Sequence, residues 1–428
     1  MTTTQTPTTP AGPELPQVPG VVPPDAGLGE RLRGYTSKIR GGDIGSLPAV
    51  LGLVTLVALF GAMRPDTFLT PLNFANLINQ SAGIMILAMG LVFVLLLGEI
   101  DLSAGFAGGT AAATLGWAST EQGWPLIPSI VVGIATGVTI GLVIGLLVAR
   151  LGIPSFVVTL AAFLSLQGLL LKIVGEGKTI PYRDQALIDI NNATLPLWLG
   201  WTLTVVGLAA YGGLTLLRLL RRQKRGLSAE PVVLWGAKFV LLCALVIGAV
   251  TWLSVERSLK PEFISLKGVP MVVVLIVGLL ICLNLLLNRT RWGRHVYAVG
   301  GNAEAARRSG INVGAVRISC FIICSSIAAI AGVVIASRNN SVSSDTGGAE
   351  TLLFAVGAAV IGGTSLFGGK GRVVDAIIGG LLIAVISNGL LILSQPPSTF
   401  QIVTGGVLLL AAGVDAISRR RSQSAGLG

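Results

Sequence analysis

The chain reads as an all-α, polytopic membrane protein, and three observations carry that reading. Of its 428 residues, 52% are hydrophobic and only 11% charged, with a mean hydropathy of +0.82; soluble domains carry about a quarter of their residues as Asp, Glu, Lys or Arg. Apolar runs recur at close to the ~20 residues that let a helix cross a bilayer. The cations gather on alternate connections between those runs.

About twelve hydrophobic segments are expected, in order Leu47–Met63, Phe74–Leu97, Leu102–Trp117, Ile127–Val148, Phe156–Ile173, Leu195–Leu217, Val232–Leu253, Val269–Leu287, Ile318–Ser337, Thr351–Thr364, Val373–Ile392 and Gln401–Ile417. Two of them, Leu102–Trp117 and Thr351–Thr364, are short and rich in glycine. In the fourth, Gly133, Gly137, Gly141 and Gly145 recur every four residues along one helical face. Such a stripe lets a second helix approach closely, replacing the hydrophobic drive that lipid does not supply. A packing role accounts for it without any ligand.

The net charge of +11 is mostly a topology signal. With the N-terminus in the cytoplasm and each segment reversing direction, 21 of the 30 Lys and Arg fall on the cytoplasmic side. They include Arg218–Arg225, Arg289–Arg317, Lys370–Arg372 and Arg419–Arg421. That bias is the positive-inside pattern and places both termini in the cytoplasm. Nucleic acid is not an expected partner. Residues 1–46, Thr/Pro/Gly-rich at first and basic over Arg31–Arg40, read as a disordered cytoplasmic tail, with no apolar core like that of a secretory signal. Residues 47–418 read as the transmembrane domain and 419–428 as a cytoplasmic C-terminal tail. Cys243, Cys282, Cys320 and Cys324 lie in apolar spans, and the only histidine is His295. No metal site is expected, since no histidine or carboxylate joins the cysteines.

The one long polar stretch that reads as structured is Arg291–Ile311. Asn302 can cap a short helix there, accepting from the orphaned N–H groups of its first turn. Glu304 then falls in the first turn and Arg307 and Arg308 in the last, as the helix dipole favours, with Glu304 and Arg308 spaced for an ion pair. Gly310 supplies the left-handed stop. A rigid cytoplasmic helix joined to membrane spans can receive a push from a soluble partner; an ordinary amphipathic loop helix has the same pattern.

The two weak segments border polar turns. Gly98–Gly105 puts Glu99, Asp101 and Ser103 before the first, and Gly362–Arg372, with Thr364, ends the second. Backbone that leaves the helix at membrane depth must be buried in protein or line a cavity. Interrupted segments in corresponding places of two halves point to a solute path, whereas polar turns at the membrane surface would look alike in sequence. Asn76, Asn79, Gln80, Gln167, Asn388 and Gln401 are further polar groups in or near spans, although such amides often tie helices together. Asp375, Asp415 and Lys238 are ionisable groups within spans; Asp375 and Asp415 stand near Arg372 and Arg419, which favours a structural role. Other chemistries fail. Gly362–Arg372 is no Walker A loop, since Thr364 stands where its first glycine belongs and Gly371 where its hydroxyl belongs. One histidine on a loop cannot build a catalytic triad.

Thr290–Val313 (TRWGRHVYAVGGNAEAARRSGINV) and Ala359–Leu393 (AVIGGTSLFGGKGRVVDAIIGGLLIAVISNGLLIL) resemble the membrane permeases of bacterial ATP-binding-cassette importers for pentoses and related sugars. GEIDLSAG (Gly98–Gly105) and GIPSFVVTLA (Gly152–Ala161) match two further signatures, and the resemblance runs from Asn73 to Asp415. The pair of spans flanking the basic Arg218–Leu227 loop is more similar to xylose-type than to ribose-type permeases. The resemblance implies a permease of the bacterial cytoplasmic membrane, paired with a second permease subunit. It also implies two cytoplasmic ATP-binding subunits that hold ATP and Mg, and an extracytoplasmic sugar-binding protein; no cofactor is expected on this chain. The coupling element would be Gly301–Ile311, comprising Gly301, Asn302, Glu304, Ala305, Ala306, Arg307, Arg308 and Gly310. Glu304, Ala305, Ala306 and Gly310 echo the importer EAA…G signature, with Ala305 and Ala306 fitting a groove of the ATPase. Asn76, Gln80, Glu99, Asp101, Ser103, Thr364 and Asn388 are the candidates for the solute path. D-xylose is the sugar the resemblance points to first, with ribose, galactose, another monosaccharide or a signalling furanose behind it. A secondary sugar transporter driven by an ion gradient is the alternative, but it would be expected to carry a charged Gly/Asp/Arg turn after the second span.

Overall fold

The computed structural model describes residues 45–225, 230–258, 260–262 and 265–424. The tail expected over residues 1–46 lies outside them as far as Ile44. The helices are α1 (Leu47–Met63), α2 (Pro65–Phe68), α3 (Pro71–Leu96), α4 (Ala104–Gly116), α5 (Leu126–Ala149), α6 (Ser155–Val174), α7 (Gln185–Asn192) and α8 (Leu197–Lys224). They continue as α9 (Val232–Leu253), α10 (Val272–Arg289), α11 (Arg291–Gly301), α12 (Ala303–Arg308), α13 (Val313–Asn339), α14 (Ala349–Gly362), α15 (Val373–Ile392) and α16 (Pro397–Ser424). Eight of them (α3, α5, α6, α8, α9, α10, α13 and α15) are long and apolar enough to cross a membrane. The molecule is an all-α integral membrane protein.

The chain divides into two compact units. The larger comprises Gly45–Tyr211 and Val240–Asp415. Its core is built on α3, which is buried on every side from Met85 to Leu96, as a helix apolar all round must be. Packed on α3 is α13, which also lies along α4 and α5. The glycine stripe of α5 faces these neighbours. A Cβ on Gly137 would stand 2.6 Å from the Ser325 carbonyl oxygen, and one on Gly141 2.5 Å from that of Phe321. On the opposite flank α15 packs against α14, α3 and α1. In the smaller unit, which includes Gly212–Phe239, Trp235 stacks on Phe239 with ring centroids 5.3 Å apart and donates to Thr215 Oγ1. Lys238 is there an exposed partner of Glu230.

Several expectations shift. The segment read as Leu102–Trp117 becomes a 13-residue helix beginning at Ala104 and ending in the π-type turn Trp117–Glu121. The eighth segment starts at Val272 rather than Val269, because Val269 and Pro270 pair with Leu195 and Thr194 in an extended bridge. Two short strands, β1 (Thr179–Pro181) and β2 (Ser341–Ser343), form an antiparallel ladder that nothing in the sequence pattern announced. The last helix continues to Ser424, into the residues read as a tail; the side chains of Asp415 and Arg419 lie outside those described.

Near the N-terminus of α3, Asn73 and Asn388 form a closed amide pair. Each Nδ2 donates to the other's Oδ1, at 2.9 and 2.8 Å, and Asn73 Nδ2 also donates to the Phe68 carbonyl. Both residues are buried, so removal of one partner strands the other in a place water does not reach. Asn388→Ala should destabilise the protein by about 1–2 kcal/mol. Asn73→Ala in the same background should add much less than it does alone. Thermal unfolding of the four proteins in detergent measures this; additive losses would show that the pair is not a unit.

Candidate functional site

The polar stretch after α10 folds as two helices rather than the single short one expected. α11 is capped by Thr290, whose Oγ1 accepts from the Gly293 N–H at 3.0 Å. Its inner face buries Gly293, Val296 and Val299. Trp292 Nε1 donates to Ser319 Oγ at 2.8 Å, and its ring lies 5.9 Å from that of Phe93. These contacts seat the helix on α13 and α3. Arg294 and His295 face outward.

The six-residue α12 has the caps its sequence foretold. Asn302 Oδ1 accepts from the Ala305 N–H at 2.9 Å. At the other end Gly310 N bonds the Arg307 carbonyl and Ile311 N that of Ala306, the two bonds of a Schellman stop. Gly310 takes φ +83°, a conformation that side-chain-bearing residues adopt at a cost. Glu304 contacts both Arg307 (3.4 Å) and Arg308 (3.2 Å); all three are exposed, so these pairs add only a few tenths of a kcal/mol each. Gly301, Asn302, Glu304, Ala305, Arg307, Arg308 and Gly310 form an outward surface. Ala306 is the correction: it is buried and packs against the chain's own core, because in a helix this short the Schellman turn needs an apolar residue on its inner side.

Two residues later Asn312 caps α13, its Oδ1 accepting from the Ala315 N–H at 3.0 Å. Arg317 follows one turn on and reaches Glu99 Oε1 at 3.2 Å.

The two polar turns meet one another. Gly369 N donates to the Leu96 carbonyl at 2.9 Å, and Gly98 (φ +72°) lies against the Phe367 carbonyl. α11 joins the same cluster. Tyr297 donates its hydroxyl to the Gly371 carbonyl at 2.8 Å, and a Cβ on Gly300 would stand 1.8 Å from the Leu96 carbonyl oxygen. Burial and the neighbouring Asp375 carboxylate push the Tyr297 hydroxyl above its ordinary pKa, which keeps it a donor. In the first turn, Asp101 Oδ1 accepts from Ser103 N (2.9 Å) and Oγ (2.6 Å), so the carboxylate caps α4. The Cys324 thiol also lies against this buried carboxylate. Thr159, in the second signature, donates to the Ile100 carbonyl at 3.2 Å. In the second turn, Asp375 accepts from Arg372 N and from its guanidinium, each at 2.8 Å, which starts α15.

Asp101, Ser103 and Thr364 are all buried. These three side chains are enclosed by protein, while Gly98, Phe367 and Lys370 of the same turns are exposed. The N-terminus of α4 also meets the approach to α14, since a Cβ on Gly105 would stand 2.2 Å from the Gly347 carbonyl oxygen. Asn76, exposed, and Gln80, half-buried, lie on the opposite half of α3, near the Asn73–Asn388 pair. That is about 24–30 Å along the helix from Leu96. Asn388 has its amide engaged by Asn73. The path candidates therefore fall into two groups, one in the polar turns and one near the Asn73–Asn388 pair. Sequence reasoning missed Arg317 and Tyr297, though a lone arginine one turn inside an apolar helix was a visible signal. Among the described residues no cluster of His, Cys, Asp and Glu could hold a metal ion.

The model of the family described as branched-chain amino acid transport system / permease component matches residues 73–194 and 262–412. The two matched stretches leave out 195–261, which holds α8 and α9. The xylose transport system permease protein of Escherichia coli (strain K12) is 34% identical over 87% of this chain and 92% of its own length. The ribose import permease of Bacillus subtilis (strain 168) is 31% identical over 87% and 92%. The D-allose transport system permease of Escherichia coli (strain K12) is 30% identical over 85% and 90%. No solved structure matches the chain. The chain belongs to this family of transport-system permease components, together with the xylose, ribose and allose permeases.

Proposed function

We propose that this chain is the transmembrane permease of an ATP-binding-cassette importer that moves a monosaccharide inward, D-xylose first among the sugars to test. In this reading twelve segments cross the bacterial cytoplasmic membrane with both termini inside, and two copies pair. Separate cytoplasmic ATPase subunits bind ATP and Mg, and an extracytoplasmic binding protein delivers the sugar. The observation that carries it is the exposed helix α12, held by caps at both ends and joined without slack to α13. Neighbouring α11 is tied to the second polar turn by Tyr297 and packs at Gly300 on the end of α3. A push on α12 would reach the spans as a rigid-body movement, as alternating access requires. The similarity to a xylose permease across nearly the whole chain supports the choice of sugar. Asn76 and Gln80, the accessible path candidates, are proposed to meet solute. In the polar turns Asp101, Ser103 and Thr364 are buried and Glu99 half-buried and paired with Arg317, and Asn388 is held by Asn73.

The purified permease alone should show neither ATP hydrolysis nor concentrative uptake. Reconstitution with its ATPase in liposomes should yield hydrolysis stimulated by binding protein loaded with D-xylose. Uptake by this subunit alone under a proton or sodium gradient would overturn the importer reading in favour of a secondary transporter.

Glu304→Lys would place a cation at the positive end of α12 and beside Arg307 and Arg308, a local penalty of a few tenths to about 1 kcal/mol. Gly310→Val would force a β-branched residue to positive φ. Both should leave sugar affinity of the binding protein unchanged and lower ATPase co-purification or stimulated hydrolysis. Parent-like assembly and stimulation in both variants would move the coupling surface elsewhere.

A further inference from the structure

The ion pair between Arg317 and Glu99 stands apart from the other ion pairs of the molecule. Among the described residues the others join positions at most eleven apart, whereas this one joins Glu99 of the Gly98–Gly105 signature to Arg317 of α13, far away in sequence. Its side chains are 31% and 15% exposed, so solvent screens the contact less than it screens the surface pairs of α12. Among the described residues Arg317 Nε is buried with no hydrogen-bond partner, and Glu99 is the carboxylate that pairs with this guanidinium.

What lies on either side gives the pair its meaning. On the arginine side the Schellman stop at Gly310, the cap at Asn312 and the first turn of α13 separate Arg317 from α12 by eight residues, from Ser309 to Val316, with caps throughout. On the glutamate side only Ile100 separates Glu99 from Asp101, the buried carboxylate that caps α4. α4 in turn is pressed at Gly105 against Gly347, before α14. The pair therefore bridges the outward helix to the two short, glycine-rich helices. α13 packs along α4 at Gly332 and Gly108, where a Cβ on Gly332 would stand 2.0 Å from the Gly108 carbonyl oxygen. That contact is backbone on backbone, whereas the ion pair ties two side chains together at one point.

We propose that Glu99 and Arg317 are positioning residues for coupling: their ion pair is the fixed point through which movement of α12 is passed to the cap of α4. The proposal rests on the importer reading. It assigns Glu99 to transmission rather than to solute contact, and it requires the two residues to act only through one another.

The test is a double-mutant cycle in the reconstituted complex with its ATPase, sugar and binding protein, using Glu99→Gln, Arg317→Met and the double variant. Each single change should leave assembly and basal hydrolysis intact and lower sugar-stimulated hydrolysis by about five-fold or more, the lower end of ordinary coupling energies. The double variant should fall no further than either single one, and Arg317→Lys, which retains the charge, should recover most of the stimulation. Multiplicative losses in the double variant, or parent-like stimulation in the single ones, would overturn the proposal. If the neutral variants fail to assemble, Glu99→Asp carries the test, with one methylene less reach. Reduced stimulation at normal assembly supports the tie, and parent-like stimulation refutes it. Absence of sugar stimulation in the unaltered complex would instead refute the importer reading itself.

Discussion

The constraint on which the structure depends is that apolar helices surrounded by lipid have no hydrophobic reason to associate. What holds them must be close van der Waals contact and hydrogen bonding between helices. This chain meets the constraint with glycine placed where backbones touch. α13 is approached by Gly137 and Gly141 of α5 and by Gly108 of α4, at distances a methyl group would close. The same logic operates between α15 and α14, where a Cβ on Gly379 would stand 1.8 Å from the Ala358 carbonyl oxygen. Close packing of this kind transmits displacement well, because a tightly filled interior is bistable rather than continuously deformable.

Against that dry framework the polar turns need their own solution. Helices α4 and α14 have 13 and 14 residues, about 20 Å each and short of the ~30 Å hydrocarbon core. In the proposed topology the rest of each passage is irregular backbone, which lipid cannot satisfy. Asp101 caps one helix, the Arg372–Asp375 pair starts the helix after the other, and carbonyls at Leu96, Ile100 and Gly371 are taken by Gly369, Thr159 and Tyr297. Function and stability converge here. One of these groups, Tyr297, belongs to α11, the neighbour of the outward helix α12.

α11 and α12 show how little material an outward-facing, capped surface needs. Three caps, at Thr290, Asn302 and Asn312, and one left-handed glycine convert a polar stretch into a rigid bracket. Its inner face is anchored by Trp292, Val296, Val299 and Ala306, and its outer face is free for a partner. Helices of six and eleven residues would not persist alone; the bracket exists because the membrane core supplies its inner wall.

Local chemistry was legible in the sequence. The membrane class followed from hydropathy, and the limits of most helices from run length. The cap at Asn302, the stop at Gly310 and the Glu304 pairs followed from residue type and spacing, because each depends on neighbours within about one helical turn. The α5 glycines announced a close approach by their spacing, though not that α13 makes it. What tertiary structure alone decided are the meetings of remote segments: Glu99 with Arg317, Asn73 with Asn388, Tyr297 with Gly371, Gly105 with Gly347. It also turned Ala306 inward and paired β1 with β2 across more than 150 residues. No periodicity encodes these contacts. A polar side chain in an apolar helix announces that it needs a partner, but which partner it finds is set by how the helices cross, and that depends on the whole packed bundle at once.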